Sequence, residues 1–483
     1  MADFAGFIGG DYEATSIWQD AQESINWYVE IDQNVEAVKK GFKVLYPTPG
    51  TYLLFSLPYA GEVRAIYPLP GGSQVLIVCG PFVYLVDQSY TVTQIGVLQS
   101  SSGSVSITDN RISAYIVDGG NRYTYVLNGV TAGVFAQIAN TDGAFQGGDI
   151  CCFIDDFIIY NQPSGNQWAA TSALSTVTPG ISFGSMLSSP DNIIGLIVDH
   201  RQVYLFGEYT TEVWVNVGAY PFPFQVVPGS TMQVGCAARR SIARLGGSIA
   251  WLGKNERGEA IVYMAEGYTE KRISTHAIEN DISEGRIDDA VAFTYQQAGH
   301  EFYMLTFPSQ DKTWCYDTSS GFWHKRASID GFGRLHRHIA NCHCAFNGLN
   351  LVGDAANGNV YALDRFTYTD NGNQIYRRRR APHIIADLNR VFYDQIQFQF
   401  QSGVGLQTGQ GFDPKSMLRW SDDAGETWSN SYMLPIGKVG HYKNRCMKRK
   451  MGWSRDRVYE ISMTDPVNAT LISVEIYTQT GDH

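Results

Sequence analysis

The stretch VLIVCGPFVYLVD (75 to 87) decides the fold of this chain. Two apolar, strand-like runs flank Gly80 and Pro81, which supply a tight turn, so the stretch predicts an antiparallel hairpin. Six further stretches have the same form of two strand-like runs around a turn. They are residues 111 to 127, 149 to 161, 202 to 218, 248 to 267, 300 to 317 and 349 to 364.

The spacing of these hairpins is that of a repeat architecture. Their starts are separated by 36, 38, 53, 46, 52 and 49 residues, and a four-stranded propeller blade takes roughly 40 to 50 residues. One blade cannot bury both of its faces, whereas blades stacked in a ring bury every sheet. The sequence therefore predicts an all-β protein with a β-propeller over residues 46 to 375, of seven blades, with six as the alternative count.

The segments on either side of the repeat differ from it. Residues 1 to 45 contain few turns and are interpreted as an extended N-terminal arm, of the kind that braces a neighbouring subunit. Residues 376 to 483 predict a C-terminal β-sandwich-like domain, because QIQFQFQ (395 to 401) alternates strictly and residues 457 to 479 give two strands around an Asp-Pro turn. The best helix candidate lies at residues 272 to 286.

Composition supports an all-β structural protein. Hydrophobic residues make up 44% of the chain and charged residues 17%, which is enough apolar material for a packed core. The 28 tyrosines and 49 glycines favour strands and the turns between them. A formal charge of -11 argues against a dedicated nucleic-acid binder, since phosphate neutralisation needs clustered cations.

Targeting signals and cysteine spacing predict the compartment. No apolar run approaches the roughly 20 residues of a transmembrane helix, and the first ten residues do not resemble a signal peptide. The eight cysteines are scattered, so we expect reduced thiols in a cytoplasm and no membrane insertion.

The segment SDDAGETW (421 to 428) fits the Asp-box pattern S-x-D-x-G-x-T-W. The matching residues are Ser421, Asp423, Gly425, Thr427 and Trp428. An Asp side chain that accepts backbone hydrogen bonds, followed by a Gly with positive φ, makes a self-contained β-turn. We interpret the box as structural, one hairpin of the C-terminal domain.

HRHIANCHC is the densest group of candidate metal ligands. His336 and His338 alternate on one predicted strand, and Cys342 and Cys344 alternate on the next. Two imidazoles and two thiolates suit tetrahedral zinc, although H-x-H and C-x-C are not the usual spacings of zinc sites. The competing interpretation is ordinary strand alternation, and we predict no metal or other cofactor.

Four consecutive arginines, Arg377, Arg378, Arg379 and Arg380, form the most concentrated positive charge in the chain. Like charges in a run repel one another and seek counter-charges, so the run is a candidate contact for DNA or an acidic partner. The alternative is a solvated surface.

The sequence contains no recognisable catalytic arrangement. Neither a Cys-His nor a Ser-His-Asp pattern stands out, and no glycine-rich phosphate loop precedes a helix. We predict that the protein is not an enzyme. The alternative function is a glycan-binding or sialidase-like propeller, but sialidases usually repeat the Asp box in several blades and this chain has one.

Several stretches together resemble a known family. They are SINWYVE (24 to 30), YPTPGTYLLF (46 to 55), SPDNIIGLIVDHRQVYLFGEYTTEVW (189 to 214), LVGDAANGNVYALD (351 to 364) and MGWSRDRVYEISMTDPVNATLISVEI (451 to 476). The chain resembles, over nearly its whole length, the packaged-DNA stabilisation family, which are tail hub or nozzle proteins of short-tailed bacteriophages.

The resemblance implies a structural protein of the virion tail, assembled in the host cytoplasm. It implies a homo-hexameric ring beneath the portal-side adaptor ring, which extends the portal channel and closes the DNA-filled head. The other implied partners are the tail needle or plug, a tailspike or fibre, and the DNA that passes transiently during ejection.

Overall fold

The structure is a computed structural model. It describes residues 2–33, 42–130, 132–189, 191–254, 258–387 and 389–481. In this part of the chain, seven antiparallel four-stranded blades surround one axis. Five are separate sheets, and the other two are parts of sheets of eleven and six strands. The strands of each blade follow one another along the sequence, except that the outer strand of blade 7 comes from the N-terminal region.

The first four blades have simple meander order. Blade 1 is Val63–Pro68, Gln74–Cys79, Phe82–Asp87 and Val92–Val97. Blade 2 is Ser106–Asp109, Ser113–Val117, Arg122–Val126 and Phe135–Gln137. Blade 3 is Cys151–Ile154, Phe157–Asn161, Gln167–Ala170 and Phe183–Ser185. Blade 4 is Ile193–Asp199, Gln202–Gly207, Thr211–Asn216 and Phe224–Val226.

The last three blades complete the ring. Blade 5 is Ala243–Leu245, Ser248–Lys254, Ala260–Glu266 and Thr269–Arg272. Blade 6 is Val291–Gln297, His300–Phe307, Lys312–Asp317 and Trp323–Lys325. Blade 7 is Ala340–Phe346, Leu349–Asp354, Asn359–Asp364 and, antiparallel to that last strand, Gly50–Ser56.

Buried side chains between neighbouring blades explain why the ring holds together. One hydrophobic cluster lies between each adjacent pair of blades, including blades 7 and 1, where Val63 and Ile77 pack against Leu351 and Val360. Seven such clusters among the described residues match seven blades. Successive side chains of each strand therefore point to the two faces of a blade, and both faces are buried against neighbouring blades. The predicted propeller is confirmed.

Two sheets packed face to face form the second domain, a β-sandwich. The first sheet contains Trp27–Ile31, Lys43–Pro47, Leu471–Thr480, Val391–Phe400 and Cys446–Arg449, with the short strands Ala2–Asp3 and Trp453–Ser454. The second contains Ala21–Ile25, Arg377–Arg380, Asp456–Met463, Lys415–Ser421 and Tyr432–Pro435, with Tyr12–Glu13 and Ile384–Ile385. Trp27, Phe398 and Ile461 are buried in the core between them.

The second sandwich sheet is continuous with blade 6. Strand Ala21–Ile25 pairs with Arg377–Arg380 on one side, and on the other side Ile25 forms a parallel pair with Lys325 of the outer strand of blade 6. One eleven-stranded sheet therefore runs from the propeller into the sandwich. Residues 1 to 45 are interpreted from sequence as an extended arm, but strands Ala21–Ile25 and Trp27–Ile31 of this segment belong to the two sandwich sheets.

The remaining elements are short. The α-helix His276–Ser283 falls inside the predicted helical segment and is capped by Thr275, whose side chain accepts a hydrogen bond from the amide of Ile278. Two 3₁₀ turns, a hairpin and a short strand pair make up the rest: Arg239–Ser241, Pro308–Gln310, Ala327–Ile329 with Leu335–Arg337, and Thr369–Asp370 with Asn373–Gln374. Among the described residues, no helix has the length and apolar character needed to cross a membrane.

Candidate functional site

The arginine run is a strand of the second sandwich sheet, separated from blade 6 by strand Ala21–Ile25. Strand Arg377–Arg380 is paired on both sides, with Ala21–Ile25 and with Asp456–Met463. Because successive side chains in a strand point to opposite faces, the run splits into two pairs. Arg377 and Arg379 are fully buried, while Arg378 and Arg380 are mostly buried on the other face.

Arg379 fastens the first residues of the chain to the sandwich. Its guanidinium donates to the carbonyl oxygens of Phe7 at 2.6 Å and Gly10 at 2.8 Å, and to the side-chain oxygen of Gln22 at 2.6 Å. Longer hydrogen bonds reach the carbonyls of Gly6 and Glu23. Burial lowers the pKa of Arg379 to about 10, which leaves it a cation at neutral pH.

Arg377 lies at the other end of the run, against the segment that leaves blade 7. Its side chain lies over the ring of Tyr368, 5.9 Å from the ring centre, and makes long hydrogen bonds to the carbonyls of Tyr368 and Asp465. Burial raises the pKa of Asp370 to about 6, and the positive charge of Arg377 acts against that shift.

Glu23 is the acidic centre of the opposite face. Its carboxylate lies 2.7 Å from Arg378, 3.5 Å from Arg380 and 3.2 Å from Lys325 of blade 6. Burial alone would raise the pKa of Glu23, but these three cations outweigh it and lower the pKa to about 2. The carboxylate therefore ties blade 6 to the sandwich at all physiological pH values.

A second buried carboxylate extends this network. Glu460, almost fully buried, accepts a hydrogen bond from Arg419 at 2.6 Å and lies 3.3 Å from Arg380. We call the set Glu23, Lys325, Arg378, Arg380 and Glu460 the junction network. Its arginines are neutralised within the chain, which corrects the expectation of a surface run that contacts DNA or a partner.

The Asp box forms the turn that its pattern predicts. The side chain of Asp423 accepts hydrogen bonds from the amide of Thr427 at 2.8 Å and from its hydroxyl at 2.6 Å, and Ser421 accepts one from the amide of Gly425 at 2.8 Å. Trp428 has a further role, because Arg419 and Arg380 lie 4.5 and 5.2 Å from its ring centre. The box therefore covers one end of the junction network.

The four candidate zinc ligands lie in different surroundings. His336 is half-exposed and contacts Asp311 at 2.6 Å, while His338 is buried with its Nε2 3.0 Å from Arg326. Cys342 lies 3.5 Å from the carbonyl of Val63, and Cys344 packs between blades 7 and 1.

Cys342 and Cys344 are protonated thiols in the folded chain, because burial raises the pKa of both to about 12. No cluster of metal-ligating side chains occurs within residues 2–33, 42–130, 132–189, 191–254, 258–387 and 389–481. The histidines and cysteines of HRHIANCHC thus lie in different surroundings and do not form one cluster among the described residues.

Comparison with known families identifies the chain. The family described as "Bacteriophage P22 Gp10, beta-propeller" matches residues 59–368, and "Bacteriophage P22 Gp10, beta-sandwich" matches residues 376–479. The chain belongs to the P22 Gp10 family. It is thus a member of the tail hub or nozzle proteins of short-tailed phages, and a structural protein of the phage tail that assembles with other virion components.

Other comparisons add little to the Gp10 assignment. No curated protein sequence matches the chain. Solved structures to which it is similar include the WD40 beta propeller domain of Doa1, at 12% identity and a TM-score of 0.43 over 65% of this chain and 97% of that one. The Neurospora crassa Pan2 WD40 domain has 9% identity and a TM-score of 0.41 over 63% and 89%. Similarity at this level carries no argument about function.

One buried contact of this Gp10-family protein has no sequence motif. His300 of blade 6 lies 2.8 Å from Asp317 and contacts Glu30 of the sandwich. Burial acts to lower the pKa of His300, but hydrogen bonds to Asp317 and Glu30 outweigh it and raise the pKa. The three residues are separated by up to 287 positions in the chain, so no local pattern could have revealed them.

Proposed function

We propose that this Gp10-family protein forms a six-membered ring beneath the adaptor ring of the portal. In this proposal the ring extends the portal channel, closes the DNA-filled head, and anchors the tail needle or plug and the tailspikes or fibres. Assembly takes place in the host cytoplasm, and DNA passes through the ring transiently at ejection. The observation that carries the proposal is the sheet shared by blade 6 and the sandwich, within a member of the tail hub family.

The shared sheet supports a role as a wall element. A hub that retains pressurised DNA must resist bending between its domains, and flexible linkers are the usual weak points of two-domain chains. Here backbone hydrogen bonds continue across the domain boundary, and the junction network holds the same boundary through side chains. The two domains therefore present partner-binding loops in a fixed relative orientation.

Net charge supports a conduit rather than a DNA-binding protein. The chain carries a formal charge of -11, and the four adjacent arginines form ion pairs and hydrogen bonds with groups of the same chain. Like charges repel phosphate over about one Debye length, roughly 8 to 10 Å at physiological salt. A ring built from such subunits would let DNA slide with little adhesion.

Native mass spectrometry of the protein mixed with portal and adaptor proteins tests the ring. We expect six copies per adaptor ring, and filled heads that carry the ring should retain their DNA when heads without it release theirs into nuclease. A monomer that is indifferent to the adaptor would refute the proposal. Turnover of a fluorogenic sialoside, abolished by one Tyr substitution, would instead support the sialidase-like alternative.

A further inference from the structure

A cleft opens where the propeller meets the first sandwich sheet. Its volume is about 310 Å³, within the range of small-ligand sites, which often lie at domain boundaries. The sandwich side is formed by strands Trp27–Ile31 and Lys43–Pro47, and the propeller side by the first hairpin turn of blade 6 and the segment that follows blade 7. We call it the junction cleft.

Aromatic rings make up much of the lining. Tyr28 and Tyr46 are cross-strand partners whose ring centres are 5.9 Å apart, and Phe366 and Tyr368 come from the propeller side. Phe366 is 68% exposed and Tyr46 is 36% exposed, so these two side chains are accessible to a ligand in the cleft. Burial raises the pKa of Tyr28 well above its ordinary value, which keeps its hydroxyl neutral.

Two planar charged groups of opposite sign accompany the rings. Arg365 lies over Phe366, 4.5 Å from the ring centre, and Glu30 is held through one carboxylate oxygen by His300. Asp317 in turn fixes the other ring nitrogen of His300 at 2.8 Å. The Glu30 carboxylate is thus oriented by a buried relay before any ligand arrives, and preorganised groups of this kind favour specific binding.

We propose that the junction cleft binds a neutral saccharide. Ring faces carry partial negative charge and attract the partly positive C–H groups of a pyranose. Carboxylate and guanidinium groups make paired hydrogen bonds, which suit adjacent sugar hydroxyls. The inference is independent of the ring proposed above.

The lining disfavours the main alternatives. A peptide-binding groove usually offers aliphatic pockets for anchoring side chains, whereas Pro47 and Ala298 are the aliphatic contributions to this cleft among the described residues. A nucleotide or phosphosugar would bring its negative charge towards Glu30, and Arg365 alone would have to offset both charges.

Isothermal titration of the full-length protein with neutral hexasaccharides (maltohexaose, cellohexaose and mannohexaose) tests the proposal. We expect at least one to bind, and Phe366→Ala to weaken that binding about tenfold or more, since one stacked ring is lost. The matched control is Phe332→Ala, because Phe332 is 87% exposed and lies 5.6 Å beneath Arg334, as Phe366 lies beneath Arg365.

Three outcomes would overturn the proposal. They are no binding by any of the three hexasaccharides, equal weakening by the control variant, or displacement of the sugar by a proline-rich peptide with higher affinity than the sugar. Hydrogen exchange of Phe366→Ala should match wild type outside the cleft, which separates lost binding from misfolding. Native mass spectrometry of the same variant should give wild-type assembly, so failure of the saccharide proposal is distinct from failure of the ring.

Discussion

Replacing Arg379 with alanine should release the N-terminal segment from the sandwich. The guanidinium makes three hydrogen bonds shorter than 3.0 Å, to Phe7, Gly10 and Gln22. Hydrogen bonds to a charged group contribute about 1.5 kcal/mol or more each. Their loss, with the acceptors left buried, should cost about 4 kcal/mol.

The cost should be local, because the hydrogen bonds of Arg379 reach residues 6 to 23, which lie within the segment of residues 4 to 26. Phe4 and Phe7 pack in the sandwich core, where the ring centres of Phe7 and Phe398 are 5.5 Å apart. The hydrogen bonds of Arg379 hold both phenylalanines in this position. Hydrogen exchange is the suitable assay, since a two-domain chain need not unfold in one step. A cost of about 4 kcal/mol corresponds to amide exchange about a thousandfold faster in that segment.

Arg449→Ala is the matched control for this prediction. Arg449 is exposed on the outer sandwich strand and makes a 3.0 Å hydrogen bond to Gln395, so its loss should cost less than about 0.5 kcal/mol. The reasoning is refuted if Arg379→Ala changes exchange in residues 4 to 26 by less than about threefold, or if exchange rises equally in the propeller.

Three other substitutions test separate parts of the molecule. His300→Gln should flatten the pH dependence of stability. The raised pKa of His300 stabilises the fold below the ordinary value of 6.5, and this stabilisation is lost as pH rises through the folded-state pKa. The free energy of unfolding in urea should therefore fall for wild type, but not for the variant, as pH rises above about 6.5. Asp423→Ala removes two hydrogen bonds to Thr427 and should cost about 1 kcal/mol, seen as faster exchange in the Asp-box hairpin alone; unchanged exchange there would contradict its structural role. Leu351→Ala opens a cavity between blades 7 and 1 and should cost about 3 kcal/mol in urea unfolding of the propeller; a loss below about 1 kcal/mol would argue against a tightly closed ring.

The propeller could be predicted from sequence because its signal is local and repeated. Each hairpin, such as residues 75 to 87, contains both of its strands and its turn within a short window, and the repeat then gives the ring. The position of strand Gly50–Ser56 in blade 7 could not be predicted in this way, because its partner Asn359–Asp364 lies some 300 positions later. Local sequence patterns do not indicate pairing between strands so far apart.

The arginine run shows a different limit of sequence reasoning. Four adjacent cations are usually solvated, and the sequence offers no nearby acids to neutralise them. Glu23 and Glu460 neutralise Arg378 and Arg380, and both carboxylates are remote in sequence and adjacent only through strand pairing. Arg377 and Arg379 instead donate to carbonyl and amide oxygens of distant segments. A similar limit applies to HRHIANCHC. Strand alternation places Cys342 and Cys344 on one face, but it does not say which residues pack against that face.

The pairing of early strands with late ones constrains how the protein is made. Strands Ala21–Ile25, Lys43–Pro47 and Gly50–Ser56 leave the ribosome first, yet their partners include Arg377–Arg380, Leu471–Thr480 and Asn359–Asp364. Until those partners are synthesised, neither the ring nor the sandwich can close, and the early strands need protection from aggregation. A chain that ends before residue 359 can therefore close neither domain, because it lacks the strands that pair with its first ones.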